Sequence, residues 1–363
     1  MILKNMRIAV VTNIPAPYRE LAHRELSKEL EGEYKVFYCN KIEKDRSWKL
    51  KLLQYDKEFL DSKNINIGKK NIYFNFSIWK KLNAYNPDVV ITGGFVPTML
   101  LAWFWSVKKH KKHIPYTDAN LLTEKRLTSL HRFIRKKVYG KSNAFLSVGE
   151  KGKQFYESYN IAPANIFKSP YVVDNNKFMV DIDKEYDVIF SGQFIKRKMP
   201  LFFAEVANIL NTKYKCSVKA LILGNGQDKN KFINKLEQYA IDYTYPGFVQ
   251  QDILPKYFAM SKIFLFPTER DAWGVVANEA CAAGLPVITC DNAGVANDLV
   301  QHNYNGYVLP LDAEDWAKHV YILLNKPEKY AEFSKNAQET MENFNKKIAA
   351  KGILDACVYA MAH

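Results

Sequence analysis

The sequence predicts an α/β protein with two doubly wound domains, each built on a parallel sheet that helices cover on both faces. Short, continuous apolar runs alternate with helix-like stretches, which is typical of parallel strands buried on both sides. Two such series occur within 363 residues, a length that suits two domains better than one core. Hydrophobic residues make up 48% and charged residues 25% of the chain, so composition excludes a largely disordered protein.

Five apolar runs in each half predict the strands. Those of the first half cover residues 7–12, 35–39, 87–94, 114–118 and 143–149. Those of the second half cover residues 186–192, 218–226, 262–267, 286–290 and 306–310. The polar segment between the two series predicts domains at 1–177 and 178–344. We expect a C-terminal helix at about 345–363 to pack back on the first domain.

Charge is concentrated in the first half of the chain. Of the formal net charge of +14, residues 1–180 account for +16 and the remainder for −2. A basic domain could meet nucleic acid, an anionic bilayer or a phosphate-bearing substrate, or could simply present a solvated surface. The five cysteines are scattered without a CxxC pair, which favours reduced thiols in a cytosolic protein. We also expect no secretion signal, because residues 6–12 are typical of a strand.

Open α/β sheets bind ligands outside the carboxyl ends of their strands, so we expect a cleft where the strand ends of the two domains face each other. The first strand leads into "NIPAPYR" and lacks GxGxxG, which makes a dinucleotide site there improbable because prolines remove N–H donors. Asn13 and Arg19 border this expected cleft, although a structural turn explains them as well. In the second domain "GQFIKRK" places Lys196, Arg197 and Lys198 after a strand. Three successive cations there favour anion binding, although a solvated loop explains any one of them.

Two further strand ends contain candidate ligand contacts. "LGNG" brings Gly224 to a strand end, a weak signal because such turns are common. After "YPG", Phe248 and Val249 could receive a nucleobase at the floor of the cleft, and a plain core role explains them equally well.

The stretch "ERDAWGVVANEACAAGLPV" separates Asp271 and Glu279 by eight residues across a loop-to-helix junction. Gly274 would let the backbone approach a ligand, and the N-terminus of the helix that follows would stabilise a phosphate. A carboxylate at Glu279 can accept two vicinal hydroxyls of a ribose, and Asp271 could accept hydroxyls of a sugar. Spacing alone fits equally well an Asp near a helix N-terminus and a solvated Glu.

The second domain resembles the family 4 retaining glycosyltransferases, which have the two-domain GT-B fold. "DAWGVVANEACAAGLPV" follows their pattern of two acids eight apart, and "GQFIKRK", "LGNG" and "PGFV" occur upstream in the expected order. The resemblance implies that Glu279 holds the ribose and Asp271 the donor sugar, and that Arg197 and Lys198 neutralise the pyrophosphate. It also implies that backbone at Gly274 and Val275 contacts sugar or phosphate, and it adds Trp273 to the donor-binding residues.

Two departures from the family pattern affect these assignments. The first acid is usually Glu, so Asp271 has a shorter reach. Gln193 stands where the family commonly has Arg, which shifts phosphate binding to Arg197 or Lys198. In the first domain, "YTDAN" makes Asp118 the candidate for the polar residue near the anomeric carbon, where we expect it to orient the acceptor and not to act as a nucleophile.

The resemblance implies a retaining hexosyltransferase that uses a nucleotide diphosphate sugar, UDP-linked by family habit, in surface-polysaccharide assembly. We expect no metal ion and no cofactor, because no acidic metal triplet occurs in the expected cleft. A nucleotide-sugar epimerase of the same architecture would need more acid and base residues around the sugar. A nucleic-acid-binding protein is suggested by charge alone, and we predict that the chain does not bind nucleic acid.

Two basic, apolar segments suggest contact with a membrane surface. Residues 95–113 join a Trp-rich run to a Lys and His cluster, and residues 130–141 place cations at helical spacing. Aromatic and basic side chains suit the headgroup region of an anionic leaflet, although a core helix ending in a solvated turn is the equal alternative. We therefore expect a cytoplasmic protein, peripheral on the inner face of the cell membrane, with a glycan or lipid-diphosphate-linked acceptor.

Overall fold

A computed structural model describes residues 6–43, 53–61, 63–67 and 70–363. The chain divides into an N-terminal unit of Met1–Val172 with Lys346–His363, and a C-terminal unit of Val173–Asn345. The first five residues of the predicted 1–177 domain lie outside the described residues.

The N-terminal unit is organised around a seven-stranded parallel sheet with the strand order β3-β2-β1-β6-β7-β8-β9. A separate antiparallel hairpin pairs β4 with β5. The strands are β1 (Arg7–Thr12), β2 (Glu33–Tyr38), β3 (Asp56–Phe59), β4 (Lys63–Ile67), β5 (Lys70–Phe74), β6 (Val89–Thr92), β7 (Lys112–Thr117), β8 (Phe145–Ser147) and β9 (Ile166–Lys168).

Helices alternate with these strands, as continuous apolar strands require. They are α1 (Pro17–Glu29), α2 (Ser77–Tyr85), α3 (Pro97–Lys108), α4 (Leu121–Glu124), α5 (Ser129–Tyr139), α6 (Glu150–Glu157) and α14 (Lys346–Ala362), with a 3-10 turn at Pro163–Asn165. The last helix packs on α1 and on β9. Gly352 permits this contact, because a Cβ there would stand 2.0 Å from the carbonyl oxygen of Lys168.

The C-terminal unit contains a six-stranded parallel sheet with the order β12-β11-β10-β13-β14-β15. Its strands are β10 (Tyr186–Gln193), β11 (Lys219–Asn225), β12 (Asp242–Gly247), β13 (Ser261–Phe266), β14 (Val287–Thr289) and β15 (Gly306–Val308). The order changes direction at β10, since β11 lies on one side of it and β13 on the other. Such a switch point opens a ligand crevice at the carboxyl ends of the strands.

The helices of the C-terminal unit are α7 (Asn175–Phe178), α8 (Pro200–Thr212), α9 (Lys229–Gln238), α10 (Leu254–Ala259), α11 (Val275–Ala282), α12 (Ala313–Asn325) and α13 (Pro327–Thr340), with 3-10 turns at Lys196–Lys198 and Met341–Asn343. Phe190, Phe203 and Phe232 interlock between the sheet, α8 and α9. This aromatic core fixes the strands whose ends carry the candidate site.

All ten predicted strands are present, and the strands absent from the prediction lie mostly at sheet margins. β3 and β9 form the two edges of the larger sheet, and β12 forms one edge of the smaller. An edge strand is covered on fewer sides, so it can be short or charged. β3 reads "DKEF" and β9 reads "IFK", and neither sequence carries the continuous apolar signal.

Candidate functional site

The residues singled out in the second half of the sequence gather at the carboxyl ends of four adjacent strands. Gln193 ends β10, Gly224 lies at the end of β11, Phe248 follows β12, and the Asp271 loop follows β13. These strands are neighbours in the order β12-β11-β10-β13. Sequence segments up to about 80 residues apart therefore line one edge of the sheet.

The cations after β10 are held by the loop after β13. The carbonyl oxygen of Arg197 accepts hydrogen bonds from the amide of Glu269 at 2.9 Å and from Thr268 Oγ1 at 3.0 Å. The Arg197 guanidinium donates to the carbonyl oxygen of Arg270 at 3.0 Å. Thr268 is fully buried, so this join between the two strand ends is a fixed part of the unit. The sequence offered no signal for Thr268.

Asp271 lies between two of these cations. Its Oδ2 forms an ion pair and hydrogen bond with Lys198 Nζ, and it stands 3.6 Å from Nη1 of Arg197. The Lys198 ammonium also lies 5.1 Å from the ring centroid of Phe266. The side chains of Lys198 and Asp271 are 16% and 14% exposed, so the pair is shielded yet reachable from solvent. An anionic ligand and Asp271 would thus share the same cations.

Gly274 begins helix α11 in a conformation that favours glycine. Its φ is +110°, and a Cβ there would stand 2.4 Å from Cε1 of Phe266. As the N-cap residue it has no side chain to cap the helix, so the first amides, beginning with Val275, have no side-chain cap. Free helix N-terminal amides are a favourable partner for phosphate.

Trp273 supports the loop from within the unit. Its side chain is 3% exposed, and its indole N–H donates to Oδ1 of the buried Asn278 at 2.8 Å. Its ring packs 5.9 Å from that of Phe344. The Trp273 side chain is therefore a packing element, and any ligand contact of this residue would be made through its backbone.

Glu279 is a buried carboxylate on α11. The residue is 7% exposed, and no hydrogen bond or ion pair of its carboxylate is found among residues 6–43, 53–61, 63–67 and 70–363. Burial raises the pKa of Glu279 to about 8, because the ionised form loses its hydration. The prediction left a solvated Glu open. The structure instead gives a desolvated acid whose acceptor oxygens are uncommitted.

The remaining candidates differ in what they can offer. Gly224 has φ +131°, and a Cβ there would stand 1.9 Å from the carbonyl oxygen of Gly192, so the glycine is required by strand packing. Gln193 and Val249 are half-buried at their strand ends. Phe248 is 50% exposed, which contradicts the core alternative and leaves its ring available for stacking.

The turn at residues 291–295, which was not among the predicted site residues, also supports the Asp271 loop. The amide of Asp271 donates to the carbonyl oxygen of Asn292 at 3.0 Å, and the amide of Val295 donates to the carbonyl oxygen of Trp273 at 3.1 Å. Gly294 permits the approach, since a Cβ there would stand 2.0 Å from the carbonyl oxygen of Ala272. The segment "DNAG" was the available sequence signal for this support.

Asp118 lies in the N-terminal unit, just after β7. It is half-buried, and its Oδ2 accepts a hydrogen bond from the hydroxyl of Tyr171 at 3.2 Å. Asp118 therefore follows the carboxyl end of a strand in the N-terminal sheet, as the donor candidates do in the C-terminal sheet.

The Trp-rich run is mostly a core element. It forms α3, in which Trp105 is 1% exposed and donates from its indole N–H to Asn83 at 2.8 Å. Phe104 of the same helix is 51% exposed.

Within the described ranges, no helix is both long and apolar enough to span a bilayer. Those same ranges contain no grouping of three or more His, Cys, Asp or Glu suited to a metal ion, and the independence from metal stays a prediction.

The strand-end geometry agrees with the comparison to protein families. Residues 173–340 match the family described as glycosyl transferases group 1, and this range contains both acids, the three cations and helix α11. The C-terminal unit is thus similar to the group 1 glycosyltransferases over nearly its whole length. The resemblance stated from the sequence is thereby confirmed at the level of group 1.

Curated relatives match this chain over part of their own length. An uncharacterized glycosyltransferase of Haemophilus influenzae is 26% identical over 137 residues, which cover 37% of this chain and 39% of the relative. A D-inositol 3-phosphate glycosyltransferase of Saccharomonospora viridis is 31% identical over 113 residues, covering 31% of this chain and 26% of the relative. The match thus spans well under half of each relative.

Solved structures extend the likeness to the whole chain. HepE of Anabaena in complex with UDP superposes with a TM-score of 0.77 at 12% identity, covering 97% of this chain and 100% of HepE. The lipopolysaccharide outer core galactosyltransferase WaaB superposes with a TM-score of 0.68 at 15% identity, covering 97% and 99%. The protein therefore has the GT-B fold with two Rossmann-like domains, as predicted.

Proposed function

We propose that the protein is a retaining glycosyltransferase that moves a hexose from a UDP-sugar to a glycan or lipid-diphosphate-linked acceptor in surface-polysaccharide assembly. The observation that carries the proposal is the buried, uncommitted Glu279 on the helix that follows the cation-bound Asp271. A diphosphate needs cations and helix amides, and a ribose needs a hydroxyl acceptor. The same sheet edge offers all three.

The donor fits this edge piece by piece. Glu279 accepts the two ribose hydroxyls, the α11 N-terminus and the Arg197/Lys198 pair receive the diphosphate, and Asp271 accepts a hydroxyl of the transferred sugar. Gln193 and Val249 border this path, and Phe248 offers an exposed ring for the base. HepE has been solved with UDP-glucose at a TM-score of 0.73 and 12% identity, which supports a UDP-linked donor.

In the proposed reaction, negative charge develops on the departing diphosphate. The bond between the anomeric carbon and the β-phosphate oxygen breaks, the acceptor oxygen bonds to the same face of that carbon, and the acceptor proton passes to the departing phosphate. Lys198, Arg197 and the α11 amides stabilise the negative charge on the leaving diphosphate, where each preorganised donor contributes roughly 3–4 kcal/mol. Asp118 orients the acceptor hydroxyl and forms no covalent adduct.

A donor screen tests the function directly. Purified protein is incubated with UDP-, GDP- and ADP-sugars, and slow release of the free sugar is followed without acceptor. We expect release from one UDP-sugar, lost in Glu279→Gln and retained in Glu205→Gln, which removes an exposed carboxylate on α8 of the same unit. No release or binding with any nucleotide sugar would overturn the proposal. Interconversion to an epimeric nucleotide sugar would favour an epimerase instead.

The acceptor proposal includes attachment to the inner leaflet of the cell membrane through α4 and α5. Leu121, Leu130 and Phe133 are 45%, 64% and 58% exposed on these helices. Leu121 and Phe133 line a groove of about 560 Å³. Exposed cations surround them, namely Lys125, Arg126, Arg132, Lys136 and Lys137. An apolar centre ringed by Lys and Arg is complementary to an anionic bilayer surface, where each cation contributes about 1 kcal/mol.

Vesicle co-sedimentation tests this attachment. We expect binding to vesicles containing phosphatidylglycerol, weakened by salt and by Phe133→Glu. Phe104→Glu is the matched control, because Phe104 is a similarly exposed aromatic on α3. The reverse ranking would move the contact to α3. Absence of binding to anionic vesicles would refute membrane attachment, and DNA binding of similar strength would favour a nucleic-acid partner.

A further inference from the structure

A chain of polar contacts crosses the carboxyl end of the N-terminal sheet from β1 to β7. Nη1 of Arg19 donates to Oγ1 of Thr12, the last residue of β1, at 3.0 Å. Nη2 of Arg19 donates to the hydroxyl of Tyr171 at 2.5 Å. That hydroxyl in turn donates to Oδ2 of Asp118 at 3.2 Å. A single phenol thus connects a guanidinium with the candidate acceptor carboxylate.

The direction of these hydrogen bonds is fixed by chemistry. A guanidinium can only donate hydrogen bonds, so the Tyr171 oxygen must accept from Arg19. The one hydroxyl hydrogen of Tyr171 is then directed to a different acceptor, which is Asp118. Arg19 therefore determines which way the Tyr171 hydroxyl points.

Packing holds the chain of contacts in one arrangement. The Arg19 guanidinium lies 5.2 Å and 5.1 Å from the ring centroids of Tyr116 and Tyr171. At the end of β6, a Cβ on Gly93 would stand 2.9 Å from Oγ1 of Thr12 and 3.0 Å from Nη1 of Arg19. Tyr171 itself is 3% exposed. Rings on one side and a glycine on the other leave the guanidinium little freedom.

We propose that Tyr171 and Arg19 are positioning residues for Asp118, holding Oδ2 in place so that the second carboxylate oxygen is presented to the acceptor hydroxyl. The inference rests on the proposed function, in which Asp118 orients the acceptor. Neither residue needs to touch a substrate. A loosely held carboxylate would lose the geometry that transfer requires, and a displacement of 1 Å can cost roughly 100-fold in rate.

The buried tyrosines supply a matched pair of variants. Tyr171→Phe removes the hydroxyl that contacts Asp118. Tyr116→Phe removes a hydroxyl that donates to the carbonyl oxygen of Ser169 at 2.6 Å and leaves the ring beside Arg19. We expect kcat for sugar transfer to fall 10- to 100-fold in Tyr171→Phe and to stay near wild type in Tyr116→Phe. KM for the nucleotide sugar stays unchanged in both, and thermal melting verifies that both are folded.

A double-mutant cycle decides whether Tyr171 and Arg19 act through Asp118. In the Asp118→Asn background, which loses the carboxylate, adding Tyr171→Phe or Arg19→Met should lower the residual kcat by less than twofold. Equal losses with and without the Asp118 carboxylate would overturn the positioning role, as would equal losses for Tyr171→Phe and Tyr116→Phe. A wild-type protein that binds and turns over no nucleotide sugar overturns the proposed function itself, a result distinct from either of these.

Discussion

Glu279 should make donor binding depend steeply on pH. Burial raises its pKa to about 8, whereas two ribose hydroxyls are best accepted by the ionised carboxylate. About one protein in a hundred carries ionised Glu279 at pH 6, about one in ten at pH 7 and about half at pH 8. Apparent affinity falls by the fraction in the competent state. The dissociation constant should therefore decrease about tenfold from pH 6 to 7 and about fivefold from pH 7 to 8.

Isothermal titration calorimetry with UDP-glucose measures this dependence. The diphosphate of UDP-glucose is esterified at both ends, so its charge is constant across this pH range. Titrations at pH 6, 7 and 8 and constant ionic strength are compared for wild type, Glu279→Gln and the exposed-carboxylate control Glu205→Gln. Repeating them in buffers of different ionisation enthalpy counts the protons released.

Wild type and Glu205→Gln should show the same steep dependence and release up to one proton on binding near pH 7. Glu279→Gln, which cannot ionise, should bind weakly with little change between pH 6 and 8. Equal wild-type affinity at pH 6 and 8 would refute the reasoning. A steep dependence that persists in Glu279→Gln would assign the titration to another group.

Three further predictions concern the same unit. The native state keeps a proton on Glu279 between pH 4.5 and about 8, so the free energy of unfolding of the wild type falls as pH rises through this window. Urea titrations should show that the free energy of unfolding of Glu279→Gln rises relative to that of the wild type by roughly 3 kcal/mol between pH 5 and 8. Asp271→Asn removes the carboxylate that pairs with Lys198, so calorimetry should find UDP bound a few-fold tighter while transfer falls at least tenfold. Gly274→Ala brings a Cβ within 2.4 Å of Phe266. In urea titrations it should lower the free energy of unfolding by roughly 2–5 kcal/mol.

The central strands and the position of the candidate site could be predicted from the sequence, because both depend on patterns local to the chain. Continuous apolar runs marked every predicted strand, and parallel topology then required their carboxyl ends to share an edge. The edge strands β3 and β9 carry no such pattern, since an edge strand is not buried on all sides.

Other features of the site arise from contacts between segments distant in the chain. Thr268 joins the β13 loop to the carbonyl of Arg197, and Tyr171 reaches Asp118 across 53 residues. In neither case does the sequence around the residue indicate its partner. Phe248 could have been buried or exposed, because no local pattern separates an apolar residue in the core from one at a strand end.

The two acids eight residues apart have opposite environments, and this difference gives the spacing its meaning. Asp271 is neutralised by Lys198 and approached by Arg197, so its charge is already compensated before a donor arrives. Glu279 is desolvated and has no cation bonded to it within the described parts of the chain. In the proposed donor complex, a diphosphate would therefore compete with Asp271 for the cations, whereas a ribose would contact an acid that has no cation bonded to it in the described parts of the chain. Because a diphosphate that attracts Lys198 would weaken the ion pair that holds Asp271, the proposed function predicts that diphosphate binding and recognition of the transferred sugar are coupled steps.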